Sequence, residues 1–578
     1  METTDKLSCN ILADLLIAHG VTQAVISPGS RNTPLIIALS RRKELKCHVV
    51  IDERSAAFIA LGIGVQTNSP VALVCTSGTA LLNYAPAVAE AFYRQIPLVV
   101  ISADRPQEWI DQDDSQTLWQ QDALAPYVKR SCDLNAHLNF PNGKWVCNRL
   151  INDVLLESVN GRKGPVHVNI RLDAPLNRTR DYTPGQSRVI TMARPKDELT
   201  TSEARELGNL VASPRKVLII SGFHRPDEQL NRALVKLAKL PNAAVMTETI
   251  ANLHSPLFIS RIDATLCRMT TEEKQRLQPD IVITLGGALV SRYIKEWIRS
   301  LDNIEHWHVG VCHTTVDCFK HLSIRVEMSP KIFMRQLASA LQIHKKPSTY
   351  SADWQKIYHD SIDCHNEYIA HAPWSDMTAF AEIISHIPPK WNVHFSNGTQ
   401  IRYAQLMDCS RLHRCECNRG VSGIDGATST ALGSSINYND TTLLITGDMS
   451  CQYDISALSS KLISPKFKII VMCNGGGGIF RFIGSTSTLP ELEEYFAVGT
   501  NLPLKELAAG YGFKYFEATS METLHKELHQ FIHCADMPAI LAIYTDPEHS
   551  ANVLKQYFQL AQENQDVRYQ PNCKDPQE

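Results

Sequence analysis

The sequence has no surplus of charge of one sign. Its 57 Lys and Arg nearly balance 60 Asp and Glu, for a formal net charge of −3 over 578 residues. Whole-chain electrostatics therefore give no case for nucleic acid or a membrane surface as a partner, although a local basic site stays open. Long apolar runs are missing too, since none reaches the roughly 20 residues that cross a bilayer. The opening METTDKLSCN lacks the basic-then-apolar layout of a secretory signal. None of the 16 cysteines forms a Cys-x-x-Cys pair, and Cys415-x-Cys417 alone is a poor zinc signal. Together these absences predict a cytoplasmic protein with reduced structural thiols and no nucleic-acid or membrane partner.

What is present is an ordinary globular composition, 44% apolar and 20% charged. The length suggests three or four domains of usual size. Apolar runs at 23–27, 47–51, 71–76 and 97–102 read as buried strands, with helical patterns at 33–42, 54–66 and 79–94 between them. Such alternation predicts a parallel sheet with helices on both faces. A further strand, PVHVNIR at 165–171, closes the region. From Asp173 to about Thr200 the chain is rich in Pro, Arg, Thr and Asp without periodicity, and reads as a linker. A second series carries strands at 216–222 and 279–287, and a second polar linker is read at 344–353. A third series has strands at 441–446, 467–473 and 538–544. The organisation expected is α/β, with three doubly wound parallel-sheet domains at 1–180, 200–345 and 355–560 and a frayed tail at 561–578.

Gly447-Asp448-Met449-Ser450 ends one apolar strand, and 26 residues after Asp448, Asn474 ends the next and runs into Gly475-Gly476-Gly477-Gly478. In an open parallel sheet, ligands bind beyond the carboxyl ends of the strands. An Asp and an Asn at two such ends supply hard oxygen ligands suited to Mg²⁺. Glycines there let backbone groups approach a diphosphate closely. Either turn alone reads equally as an ordinary strand-to-helix turn with Asp448 as a cap. Taken together, their spacing resembles the diphosphate motif of thiamine-diphosphate enzymes, with Met449 in place of the usual last glycine.

Asp52-Glu53-Arg54 follows a strand and precedes the Ala- and Gly-rich SAAFIALGIG. By itself Glu53 is a helix-start acid favoured by the helix dipole. Beside the motif above it becomes the candidate catalytic carboxylate, able to exchange a proton with N1′ of a thiamine aminopyrimidine.

Four further signatures occur in order: Ser27-Pro28-Gly29-Ser30-Arg31, Thr76-Ser77-Gly78-Thr79-Ala80, Ala103-Asp104-Arg105-Pro106 and Asn418-Arg419-Gly420-Val421-Ser422-Gly423-Ile424-Asp425-Gly426. The set resembles, over nearly the whole chain, the 2-succinyl-5-enolpyruvyl-6-hydroxy-3-cyclohexene-1-carboxylate synthases of menaquinone and phylloquinone biosynthesis. Gly447-Asp448-Met449-Ser450 lies closer to that family's Gly-Asp-Leu-Ser than to the general Gly-Asp-Gly.

The resemblance implies the fold of thiamine-diphosphate decarboxylases and carboligases, with thiamine diphosphate and Mg²⁺ (or Mn²⁺) as cofactors. It implies decarboxylation of 2-oxoglutarate and 1,4-addition of the resulting succinic-semialdehyde carbanion equivalent to isochorismate. It also implies a homodimer or dimer of dimers, whose N-terminal and C-terminal domains come from different subunits at each site. Residue by residue, Glu53 and Gln116 would be catalytic. Thr76, Ser77, Gly78, Asn83, Ile424, Gly447, Asp448, Met449, Ser450, Asn474, Gly476, Ile479 and Phe480 would border the cofactor, with Asp448, Asn474 and Gly476 on the metal. An apolar side chain under the cofactor, from Ile424 or Ile479-Phe480, would enforce its bent shape.

Both substrates are dicarboxylates, and the planar fork of arginine grips carboxylates bidentately. Arg402 and Arg419 would hold the 2-oxoglutarate-derived carboxylate, with Thr399 beside them. Ser30, Arg31, Arg105 and Arg292 would meet isochorismate, Gln116 matches a family substrate-site residue, and Ile479 and Phe480 would also face substrate. Departures from the family pattern are Arg292, where some relatives have Lys, Gly398 at a serine position, and Gly475 and Gly478 in place of side chains. Two other readings remain: a pyruvate-using carboligase of the same cofactor class, and a catalytically dead binding relative. The arginine set speaks against the first, and the presence of Glu53, Asp448 and Asn474 against the second.

Overall fold

A computed structural model describes residues 1–193, 197–212, 214–340, 348–499 and 501–567. The N-terminal part contributes strands β1 (Glu2–Thr4), β2 (Gln23–Ile26), β3 (Lys46–Val49), β4 (Val71–Cys75), β5 (Leu98–Asp104), β6 (Ser131–Asn135), β7 (Val166–Arg171) and β8 (Thr179–Asp181). Six of these form one parallel sheet in the order β3-β2-β4-β5-β7-β6. The middle part contributes β9 (Val217–Ser221), β10 (Ala243–Thr247), β11 (Ile281–Leu285), β12 (Glu305–Val309) and β13 (Leu322–Val326) in the parallel order β10-β9-β11-β12-β13. The C-terminal part contributes β14 (Asn392–Phe395), β15 (Arg414–Cys417), β16 (Thr442–Gly447), β17 (Phe467–Cys473), β18 (Lys514–Ala518) and β19 (Ala539–Tyr544). Their order, β15-β14-β16-β17-β19-β18, is again all parallel.

Alternate side chains of each sheet point into different cores, which is the meaning of doubly wound. On β4, Val71, Leu73 and Cys75 enter one apolar cluster while Ala72 and Val74 enter another. On β17, Phe467, Ile469 and Val471 join the same first cluster, and Ile470 and Met472 face a third. One core therefore lies between the N-terminal and C-terminal sheets and ties them together. Burial on both faces is why these strands read as unbroken apolar runs rather than alternating ones.

Two helices fill that shared core, Glu53–Thr67 and Ala427–Ser435. Every residue from Ser55 to Val65 is buried, so this helix has no solvent face to pattern. A Cβ on Gly62 would lie 2.1 Å from the Thr430 carbonyl oxygen, and one on Gly433 would lie 2.1 Å from that of Ile59. The helices touch backbone to backbone, which only glycine permits. The contact fixes the start of the first helix, where Glu53 sits, against the C-terminal sheet.

Two expectations change, and two more lie partly outside the described residues. The stretch from Asp173 to Thr200 is not purely a linker: β8 within it pairs antiparallel with β1 at the chain's start. A three-residue strand with exposed side chains leaves no apolar signature, which is why the sequence reads as a linker there. The helix expected over 79–94 breaks into Ala80–Asn83 and Ala85–Arg94, with a proline in the first turn of the second. Of the second linker, 344–347 lie outside the described residues, and the helix Tyr350–His371 starts within the remainder. At the C-terminus the helix Pro547–Val567 runs into the stretch expected to fray, of which 568–578 lie outside the described residues.

Candidate active site

At the carboxyl ends of β16 and β17 the two expected metal-binding turns meet. Asp448 is 3% exposed, and its Oδ2 accepts from the backbone N–H of Gly475 (2.9 Å) and Gly476 (3.0 Å). Its Oδ1 accepts from Met449 N–H at 2.7 Å. Asn474 is also buried, and its Nδ2 donates to Asp376 Oδ2 at 2.6 Å. That bond orients the amide and turns its carbonyl oxygen away from Asp376.

The glycines here have local reasons. Gly476 has φ +119°, and a Cβ on it would lie 2.2 Å from the Ala497 carbonyl oxygen. A Cβ on Gly478 would come within 2.8 Å of Asn474 Nδ2. Gly447, at the end of β16, brings its N–H to Ser396 Oγ at 3.4 Å. Ser450 Oγ donates to the Ile424 carbonyl at 2.7 Å, so the Ile424 loop is pinned to the Asp448 turn. Ile479 and Phe480 follow in the short helix Gly478–Phe482, half-buried, with the Phe480 ring 5.8 Å from that of Phe496.

Glu53 opens its helix, with Asp52 as the cap accepting from Ser55 N–H at 3.2 Å. It lies electrostatically beside Cys75 and Tyr84. The next residue, Arg54, donates to the Tyr453 carbonyl at 2.8 Å, and Tyr453 ends the helix that Asp448 begins. Just past β4, the hydroxyls of Thr76 and Ser77 are buried and, among the described residues, have no hydrogen-bond partner. Gly78 N–H is held by Gln120 Oε1 at 2.8 Å, and Asn83 is exposed with its amide on the Thr79 carbonyl at 3.1 Å.

The arginines form two separate groups. In the first, Arg31 donates to the Leu172 carbonyl at 2.8 Å, while Arg105 donates to the Ser115 carbonyl at 2.7 Å and pairs with Asp114 at 3.3 Å. Burial and the Arg105 charge push the Arg31 guanidinium below its ordinary range. Ser30 is exposed beside them, and Gln116 is exposed at φ +61°, with its Cγ 3.3 Å from where a Gly78 Cβ would stand.

In the second group, Arg292 and Arg402 line a cavity of about 250 Å³ with Asp263, Tyr293, Glu296 and Phe482. Burial, then Arg419 and Arg292, push the Arg402 guanidinium down, and Asp263 opposes them. Arg419 donates to Asn397 Oδ1 at 2.9 Å. Thr399 is 7% exposed at the start of the Arg402 helix, next to Gly398 at φ +109°, a backbone angle that suits glycine. Among the described residues no hydrogen bond or ion pair joins the first group to the second.

Comparison with known proteins shows which family the chain belongs to. The description "Thiamine pyrophosphate enzyme, N-terminal TPP binding domain" matches residues 9–124. The chain is 40% identical over 563 residues to the 2-succinyl-5-enolpyruvyl-6-hydroxy-3-cyclohexene-1-carboxylate synthase of Porphyromonas gingivalis, covering 96% of this chain and 97% of the relative. Proteins of the same name from Flavobacterium johnsoniae and Cytophaga hutchinsonii are each 36% identical, over 95% and 96% of this chain and 97% and 98% of their own. The chain belongs to the 2-succinyl-5-enolpyruvyl-6-hydroxy-3-cyclohexene-1-carboxylate synthase family.

As a member of this synthase family it is a thiamine-diphosphate-dependent enzyme of menaquinone biosynthesis. The residues present fit such a cofactor. Buried hydroxyls at Thr76 and Ser77 await a polar partner. The donors at the β16 and β17 ends are oxygens, the set a hard divalent cation takes. Among the described residues no three His, Cys, Asp or Glu side chains converge on an ion, so a metal here would draw on amide and backbone oxygens as well.

Two residues without a motif brace the loops of this site. Asp376 orients Asn474, and Glu90, 3% exposed, accepts from the N–H groups of Gly420 (2.8 Å) and Val421 (2.6 Å). Glu90 thus reaches from the N-terminal part to clamp the loop that presents Arg419. A buried Glu inside an apolar helix is the one sequence signal that could have marked it.

Proposed function

We propose that this enzyme decarboxylates 2-oxoglutarate and joins the four-carbon remainder to isochorismate by 1,4-addition. The product would be 2-succinyl-5-enolpyruvyl-6-hydroxy-3-cyclohexene-1-carboxylate and CO₂. The observation that carries this reading is the convergence of Arg292, Arg402 and, electrostatically, Arg419 around one cavity. Three neighbouring guanidiniums with partial counter-charge suit a substrate with more than one carboxylate, as 2-oxoglutarate and isochorismate both have. Pyruvate, with a single carboxylate, would leave them uncompensated.

Thiamine diphosphate, when bound, supplies a nucleophilic thiazolium carbon and an electron sink for loss of CO₂. Glu53 would hold and release a proton at N1′ of the aminopyrimidine, and Gln116 would act beside the isochorismate ring. Asp448, Asn474 and the Gly476 carbonyl would hold Mg²⁺, or Mn²⁺ in its place. Thr76, Ser77, Gly78, Asn83, Gly447, Met449 and Ser450 would border the cofactor. Ile424, Ile479 and Phe480 would give it an apolar support and exclude water. Arg402, Arg419 and Thr399 would orient the 2-oxoglutarate carboxylates, and Ser30, Arg31, Arg105 and Arg292 those of isochorismate.

A homodimer, or a dimer of such dimers, supports the same reading. Among the described residues no hydrogen bond or ion pair joins the two arginine groups within one chain, and Val49, Ile51, Leu82 and Tyr453 near Glu53 and its neighbours stay exposed at 61%, 81%, 45% and 49%. A second copy covering these apolar side chains would bring Glu53 of one subunit to the Asp448 turn of the other. Among the described residues no helix is long and apolar enough to cross a membrane. We place the enzyme in the cytoplasm, with small molecules as its ligands and neither nucleic acid nor membrane as a partner.

The test is product analysis of purified enzyme with 2-oxoglutarate and isochorismate, with and without thiamine diphosphate and Mg²⁺. The expected result is cofactor-dependent CO₂ release and the coupled product. CO₂ released from pyruvate in preference to 2-oxoglutarate would overturn the assignment.

A further inference from the structure

Behind the second arginine group lie two carboxylates that no motif marks. Glu248, at the end of β10, is 2% exposed. Its Oε1 accepts from the N–H of Val290 (2.7 Å) and Ser291 (2.8 Å), and its Oε2 also from Val290 (2.9 Å). Ser291 caps the helix Arg292–Arg299: its Oγ accepts from Ile294 N–H at 3.2 Å and donates to Asp263 Oδ1. Glu248 therefore holds the residue that starts the Arg292 helix.

The neighbouring Thr249 grips the other arginine-bearing element. Its N–H donates to Gln405 Oε1 at 2.7 Å and its hydroxyl to the Ala404 carbonyl at 2.9 Å, at the end of the helix Thr399–Ala404 that carries Arg402. Two consecutive residues thus join helices from two domains. Burial raises the Glu248 carboxyl to about 7, with the Asp263 charge adding to it and Arg419 opposing, and it raises that of Asp263 to about 6, with Glu296 adding and Arg402 and Lys295 opposing.

We propose that Glu248 is a positioning residue for substrate carboxylates. It sets the spacing between Arg292 and Arg402 across the domain seam, while Asp263, which lines the cavity with them, offsets their charge before a dianion arrives. This rests on the proposed use of 2-oxoglutarate.

The experiment compares holoenzyme and its Glu248→Gln variant on 2-oxoglutarate and on 2-oxobutyrate, which lacks the distal carboxylate. The ratio of kcat/KM between the two acids is expected to fall about tenfold in the variant, chiefly through KM for 2-oxoglutarate, the size expected when one charge-assisted contact is misplaced. Thiamine-diphosphate affinity, read by tryptophan fluorescence, is expected to stay within about twofold, because Glu248 touches none of the residues assigned to the cofactor. An unchanged ratio, or equal loss on both acids, would overturn the proposal. Asp263→Asn, which keeps an acceptor for Ser291 but loses the charge, is expected to move the ratio the same way and decides the matter if Glu248→Gln does not fold. Parent enzyme inactive on 2-oxoglutarate would instead sink the functional assignment itself.

Discussion

The N-terminal and C-terminal sheets have the same strand order, strand for strand, β3-β2-β4-β5-β7-β6 beside β15-β14-β16-β17-β19-β18. Their equivalent helices, Glu53–Thr67 and Ala427–Ser435, pack against each other through Gly62 and Gly433. Yet corresponding ends carry different chemistry. After β3 comes the carboxylate of Glu53, and after the matching β15 comes the cation of Arg419. After β4 come the hydroxyls of Thr76 and Ser77, and after the matching β16 comes Asp448. One topology thus serves two tasks, and the difference lies in a handful of residues at strand ends, where an open parallel sheet exposes its ligand crevice.

The sharpest way to break that comparison is to remove one end at a time. Glu53→Gln keeps the shape but cannot exchange a proton, so turnover should fall by roughly 10²–10⁴ with cofactor affinity little changed. Asp448→Ala should do the reverse first, weakening thiamine-diphosphate binding, with only partial rescue by excess Mg²⁺. Calorimetry and steady-state rates separate the two. Mixing the two inactive proteins under subunit exchange should restore about a quarter of parental activity if each site draws on both chains. No recovery would place both residues in one subunit's site and undo the dimer reading.

Next in size is Arg402→Ala. Loss of a charge-assisted bidentate contact should cost 2-oxoglutarate a few kcal/mol in kcat/KM and an oxo acid without the distal carboxylate much less. Equal loss on both would make Arg402 a structural residue. Smaller again is Asp376→Ala, which removes the acceptor that orients Asn474. A second-layer partner of this kind typically changes metal affinity 10- to 100-fold. Titration with Mn²⁺ followed by electron paramagnetic resonance would show it, and unchanged affinity would mean that Asn474 needs no such support.

Legibility in the sequence follows the same physics. The strand FKIIVMC was readable to its ends because burial on both faces leaves no polar break. β15, Arg-Cys-Glu-Cys, was not, because its polar residues point into a buried ion-pair cluster with Arg94 rather than into solvent. The Asp448 and Asn474 turns were found because their 26-residue spacing resembles the diphosphate motif of thiamine-diphosphate enzymes. Glu90 acts across a domain seam, and Glu248 and Asp376 act on residues 42 and 98 positions further along their own domains, separations that carry no local pattern. The separation of the arginines into two groups is equally a property of packing.

The smallest effect concerns two glutamates on the seam between the compared sheets, both facing Arg94. Glu416, 4% exposed, pairs with Arg94 at 2.5 Å and Arg414 at 2.6 Å. Burial alone would raise its carboxyl, but Arg414, Arg94 and His394 together hold it down at about 2. Glu90 has only Arg94 and two backbone N–H groups against burial and the nearby Asp425, and its carboxyl is pushed up. The signs of their pH dependence therefore oppose. Glu416 stabilises the fold above the ordinary carboxylate range, a contribution lost as pH falls from about 4.5 towards 2. The contribution of Glu90 is fully present below about 4.5 and is lost as pH rises through its raised value. Relative to the parent, Glu416→Gln should thus lose most Tm at neutral pH and recover ground on acidification. Glu90→Gln should show the opposite trend, because glutamine resembles the protonated acid. Thermal scans of both variants between pH 3 and pH 7 would read the two slopes, and parallel curves would mean that Arg94 does not distinguish its two partners.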